Sequence, residues 1–186
     1  SEDRQRRYES SSARNQIRIA ADNELKTDAV GALLRQHAKD RVLVIGQYLE
    51  QLRQLATVFG LPLITGQTNN AERDRLYAAF RQGDVPHLIV SKVGNFAVDL
   101  PDANVAIQVS GTFGSRQEEA QRLGRILRPK DDGGTATFYT LVSAATREQE
   151  FAKKRQLFLA EQGYAYEIIG AHDLHGDASI DAGVSV

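Results

Sequence analysis

No cysteine occurs in this chain, which excludes disulfides and thiolate-ligated metals and is compatible with a reducing compartment. Methionine is missing too, even at position 1, so the sequence reads as an excised fragment or a processed product. No apolar run approaches the roughly 18 residues of a membrane span, and no secretory signal opens the sequence, so no membrane partner is expected. Neither sign of charge dominates: 23 Lys and Arg stand against 24 Asp and Glu, for a net charge of −1. Autonomous nucleic-acid binders are often strongly basic. Any nucleic acid would therefore be met through a few placed contacts, shared with another domain. Three phosphate signatures are also lacking. Without G-x-x-x-x-G-K-S/T and D-E-x-H, the chain has no lysine-bearing loop for ATP phosphates and no paired acidic motif for Mg²⁺. Without G-x-G-x-x-G, the dinucleotide-binding reading loses its phosphate turn.

What is present fits one domain of ordinary globular composition, since 186 residues at 41% hydrophobic content can enclose a sizeable core. Residues 1–21 are polar and Arg-rich, with a serine run at 10–12, and read as a connector or peripheral segment. Leu25, Val30, Leu33 and Leu34 give a helical period ending near His37, and Val42, Leu43, Val44 and Ile45 form an apolar run typical of a buried parallel strand. Leu49, Leu52, Leu55, Ala56 and Phe59 make a second helical stripe, closed by Gly60. Residues 61–65 are strand-like. Asn69 and Glu72 have capping-box spacing before a helix bearing Leu76, Ala79 and Phe80 that stops at Gly83.

Strands are expected at 87–91, 105–109, 135–142 and 164–169, and helices from Ser115 to before Pro129 and over 145–162, the latter with Thr146 and Gln149 at capping spacing. This alternation predicts an α/β domain over residues 22–170, a mainly parallel sheet with helices on both faces. Residues 171–186 are rich in Gly, Asp and Ala and read as a disordered tail. Ligands of such sheets gather at the carboxyl ends of the strands. Those ends are small or polar here: Gly46 and Gln47, Thr65 to Thr68, Ser91 and Lys92, and Ser110 and Gly111.

The most specific stretch runs Gln121-Arg122-Leu123-Gly124-Arg125-Ile126-Leu127-Arg128. On a helix, Gln121, Arg125 and Arg128 fall within roughly 60° of one another, with Leu123, Ile126 and Leu127 behind them. Taken alone, the arginines read first as the solvated face of an amphipathic helix, and only second as a guanidinium pair for charge on a transferring phosphoryl group.

The full Q-x-x-G-R-x-x-R spacing resembles the sixth signature motif of superfamily 2 helicases, and the flanking residues 116–129 resemble the XPB branch of DNA repair helicases. Further stretches match in consistent order: 42–48, 65–80, 91–94 and 99–104. The resemblance implies a RecA-like second helicase lobe working with ATP and Mg²⁺, both bound mainly by a first RecA-like lobe that this sequence lacks. It implies DNA backbone contacts at Ser91, Lys92 and Gly94, more weakly at Gly66 and Thr68. It also implies that Asp99 lies near the nucleotide ribose, while Gln121, Arg125 and Arg128 face ATP across the cleft between lobes. The implied activity is 3′–5′ DNA unwinding or translocation in repair. The chain departs from the family at Gly94-Asn95, where Gly-Asp is common.

The implied compartment is the prokaryotic cytoplasm, at the nucleoid, ahead of a eukaryotic nucleus. Rival readings are another superfamily 2 translocase, or a non-catalytic module docking a partner such as a nuclease. The fragment alone is expected to be inactive. Other features carry less. His172 and His175 lack further metal ligands nearby, Lys153, Lys154 and Arg155 fit a solvated helix face, and Phe138, Tyr139, Tyr164 and Tyr166 fit a core better than a base-stacking platform.

Overall fold

Short apolar runs alternating with amphipathic helical stripes dictate the architecture seen in the computed structural model, which describes residues 24–91, 103–110, 136–143, 146, 149, 169 and 170. The elements are α1 (Glu24–Gln36), β1 (Val42–Gly46), α2 (Leu49–Phe59), β2 (Leu63–Ile64), α3 (Asn70–Gln82), β3 (His87–Ser91), β4 (Val105–Gln108) and β5 (Thr137–Thr140). The five strands form one sheet in the order β2-β3-β1-β4-β5, and every pairing is parallel. β1 is buried along its whole length, as its unbroken apolar run requires.

Alternate residues of each strand point to opposite faces, and the core divides accordingly. Val42, Val44, Ile89, Val105, Ile107 and Val109 pack with Val30, Leu33 and Leu34 of α1 and Leu52 and Leu55 of α2. Leu43, Ile45, Leu88, Val90 and Ala106 face the other way, against Leu76, Tyr77 and Phe80 of α3. Helices therefore cover both faces. Phe138 and Tyr139 pack against the two cores from β5, as expected for core aromatics; Tyr164 and Tyr166 lie outside the described residues.

Helix boundaries follow local chemistry. Gly60 (φ 63°) and Gly83 (φ 85°) terminate α2 and α3 in the left-handed conformation, which costs glycine little. Asn69 caps α3, its Oδ1 accepting from the Glu72 N–H at 2.8 Å. The reciprocal half of the capping box is replaced, because both Glu72 carboxylate oxygens accept from Arg75, at 2.7 and 2.8 Å. At the other expected cap, the Thr146 hydroxyl donates to the Ser143 carbonyl at 2.7 Å, and its carbonyl accepts from the Gln149 N–H at 3.0 Å.

Two expectations need correction. The strand expected over 61–65 is only Leu63–Ile64. It lies at the sheet edge behind Pro62, which has no N–H to donate, and the Thr65 N–H donates to the Thr68 hydroxyl at 2.9 Å. In α1, Leu25 is 62% exposed while Lys26 is 5% exposed. Lys26, not Leu25, is in register with Val30 and Leu33, four and seven residues on.

Candidate functional site

The strand register aligns the carboxyl ends into one edge. Val90 pairs with Ile64 and Ser91 with Gly46, while Ile45 pairs with Gln108. Thr65, Ser91, Gly46 and Val109 thus follow one another across the sheet. The chain leaves β1 toward β2 on one side and β4 toward β5 on the other, so the neighbouring ends of β1 and β4 form a topological switch point.

That point is tightly built. A Cβ on Gly46 would lie 2.8 Å from Leu52 Cδ2, 2.9 Å from Val109 Cγ2 and 3.0 Å from Ser110 Oγ, so these side chains pack onto the strand backbone as only glycine permits. The Gln47 N–H donates to Ser110 Oγ at 2.7 Å, tying the exit of β1 to the exit of β4. The Val109 N–H continues the ladder to the Ile45 carbonyl at 2.9 Å. Its own carbonyl accepts from Lys26 Nζ at 3.1 Å.

At the β2 end, the turn 65–68 is held by its own side chains. The Gln67 N–H donates to the Thr65 hydroxyl at 3.1 Å, and Arg73 Nη2 donates to the Thr68 carbonyl at 3.0 Å. Gly66 is exposed and Thr68 half-buried, so both are accessible to a ligand. Ser91 differs. It is 0% exposed, and its Oγ has no hydrogen-bond partner among the described residues. Gln47 Oε1 and Gln108 Oε1 are likewise buried without partners at the neighbouring strand ends. Buried polar atoms normally find partners, so three such atoms along one edge set it apart from the rest of the sheet.

Of the expected site residues, this edge brings Ser91 into line with the 65–68 turn that carries Gly66 and Thr68. Lys92, Gly94, Asp99, Gln121, Arg125 and Arg128 lie outside the described residues, as do Lys153, Lys154, Arg155, His172 and His175. Among the described residues, no group of three or more His, Asp or Glu could hold a metal ion, and no helix is long and apolar enough to cross a membrane. Sequence reading marked Gln47 and Ser110 as part of a polar rim, without their mutual bond. It missed Lys26, whose signal was a lysine in register with an apolar stripe.

A second polar cluster lies under α1, away from this edge. His37 Nδ1 is 2.9 Å from Asp40 Oδ2 and His37 Nε2 is 2.9 Å from the Tyr139 hydroxyl. Burial, and then the Asp40 charge, raises the Tyr139 pKa above the usual tyrosine value.

Comparison with known proteins agrees with this architecture. The C-terminal domain of the DEAD-box protein Dbp5 superimposes with a TM-score of 0.62 at 16% identity, covering 76% of this chain and 82% of that one, a likeness of fold. The chain is 57% identical over 159 residues to the DNA 3′-5′ helicase XPB of Kineococcus radiotolerans, covering 86% of this chain and 28% of that protein. It is 53% identical over 171 residues to the DNA 3′-5′ helicase XPB of Mycobacterium tuberculosis, covering 92% of this chain and 31% of that protein. The chain thus spans less than a third of the length of these curated relatives. The family model described as ERCC3/RAD25/XPB C-terminal helicase matches residues 2–181. With relatives more than half identical along nearly the same span, the chain belongs to the ERCC3/RAD25/XPB C-terminal helicase family.

Proposed function

We propose that this chain is the second motor lobe of an ATP-dependent 3′–5′ DNA helicase or translocase acting in repair, and that it works only with a first lobe supplying the phosphate loop. The observation that carries this reading is the complete Gln121, Arg125 and Arg128 set in a member of this family. A carboxamide and two guanidiniums suit the oxygens of a triphosphate, and the Asp99 carboxylate suits a ribose hydroxyl. ATP, with Mg²⁺ held mainly by the first lobe, supplies the phosphoryl group whose transfer to water drives the motor. Arg125 and Arg128 stabilise the charge that develops during that transfer.

DNA is met at the carboxyl edge of the sheet. Gly66 and Thr68 are the accessible contributors, and Lys92 and Gly94 follow Ser91 in the sequence. The buried Ser91 hydroxyl contributes only if it is uncovered when the lobes close. A net charge of −1 fits such sparse contacts better than broad electrostatic adhesion. The first lobe is the obligatory partner, and a nuclease or another repair protein is a further one. The two bacterial relatives favour a cytoplasmic setting at the nucleoid over a nuclear one.

The test compares ATP turnover by this chain alone with turnover by a full-length protein carrying it, with and without single-stranded DNA. The full-length protein is expected to show DNA-stimulated turnover and this chain none. Turnover by this chain alone would contradict the two-lobe reading, and no DNA stimulation in the full-length protein would favour a non-catalytic docking module.

A further inference from the structure

Among the described residues, Lys26 is the only buried Lys, Arg, Asp or Glu. Enclosing a lysine is costly unless its amine finds an acceptor, and an apolar residue on the same stripe would stabilise α1 at least as well. What the lysine adds is reach. From the first turn of α1, Nζ extends to the carbonyl of Val109, just beyond the last residue of β4. Val109 and Ser110 are themselves 0% and 1% exposed. Ser110 then takes the Gln47 N–H from the adjacent strand end. Lys26, Val109, Ser110 and Gln47 thus form a continuous polar tie from α1 across the switch point. The sequence continues from Ser110 directly into the segment that carries Gln121, Arg125 and Arg128.

We propose that Lys26 is a positioning residue for ATP turnover: by holding the Val109 carbonyl it fixes where the chain leaves β4 for the arginine-bearing segment. The proposal rests on the motor-lobe reading above. A group that acts only by placing others in the transition state lowers kcat and leaves the KM for ATP nearly unchanged, and small displacements of reacting groups cost about 10- to 100-fold in rate.

The experiment uses the full-length protein. Lys26→Met fills the same space without a donor and is expected to lower DNA-stimulated kcat about 10- to 100-fold, with KM for ATP and melting temperature little changed. Lys26→Arg, which can still donate to the carbonyl, is expected to recover most of the loss. Ser110→Ala is expected to lower kcat as well, and the double variant Lys26→Met with Ser110→Ala to lose no more than the stronger single, because both act through one tie. Faster amide exchange at Gln47 in Lys26→Met, restored in Lys26→Arg, reports the same tie independently of turnover. Unchanged kcat in a folded Lys26→Met, or fully additive losses, would overturn the proposal. If Lys26→Met does not fold, unchanged kcat in Ser110→Ala would do so. Absence of DNA-stimulated turnover in the unaltered protein would sink the motor reading instead, with Gln47 exchange still reporting whether Lys26 governs the rim.

Discussion

Tyr139 shows how one hydroxyl couples packing to pH. Its ring lies 5.5 Å from that of His37, centroid to centroid, and its hydroxyl and the Asp40 carboxylate bracket the imidazole. Burial first, and the Asp40 charge second, disfavour the phenolate, so the folded-state pKa is raised. The protonated form is favoured in the fold. Its stabilisation is therefore complete below the unfolded-state value of about 10 and is lost as pH rises through the raised folded value. Tyr139→Phe is expected to cost about 1 kcal/mol at neutral pH through the lost hydrogen bond. Denaturant unfolding across the alkaline range should show the gap between the two proteins narrowing. A gap that stays constant would mean that Tyr139 does not titrate between the folded and unfolded states. Tyr77, whose pKa burial also raises, is present in both proteins and cancels in the comparison.

At the scale of elements, α3 depends on its first turn. Asn69 supplies the cap, while Glu72 spends its carboxylate on the exposed pair with Arg75. Asn69→Ala is expected to cost about 1 kcal/mol, whereas Glu72→Gln should leave the unfolding midpoint nearly unchanged, since exposed ion pairs contribute little. Equal losses from both would show an intact reciprocal box. Elements of this kind were legible in sequence because their signals are local. Gly60 and Gly83 end helices through backbone conformation alone, and the apolar run of β1 admits one reading. What sequence did not show is which side chains take the strand-end backbone groups, near in the chain or far. β2 is cut short where Thr68 captures the Thr65 N–H, and β4 gives way where Lys26 takes the Val109 carbonyl across 83 residues of chain. The rim of polar strand ends was visible as a list of residues. That Ser91 is enclosed while Gly66 and Thr68 are open depends on how neighbouring elements cover each strand end.

For the whole molecule, the parallel sheet with helices on both faces places along one end of the lobe a polar edge, three of whose buried atoms have no partner among the described residues. In the proposed motor that edge meets DNA, while the nucleotide site needs a phosphate loop that this chain does not contain. Under the proposed division of labour the arginines are conditional, acting only when the lobes close on ATP. The most direct measurement is DNA-stimulated ATP hydrolysis by a full-length protein with and without Arg125→Ala, alongside its affinities for ATP and DNA. Turnover is expected to fall by about 10³-fold or more with both affinities retained, as removal of an arginine finger does. Unchanged turnover in a folded Arg125→Ala variant would contradict it.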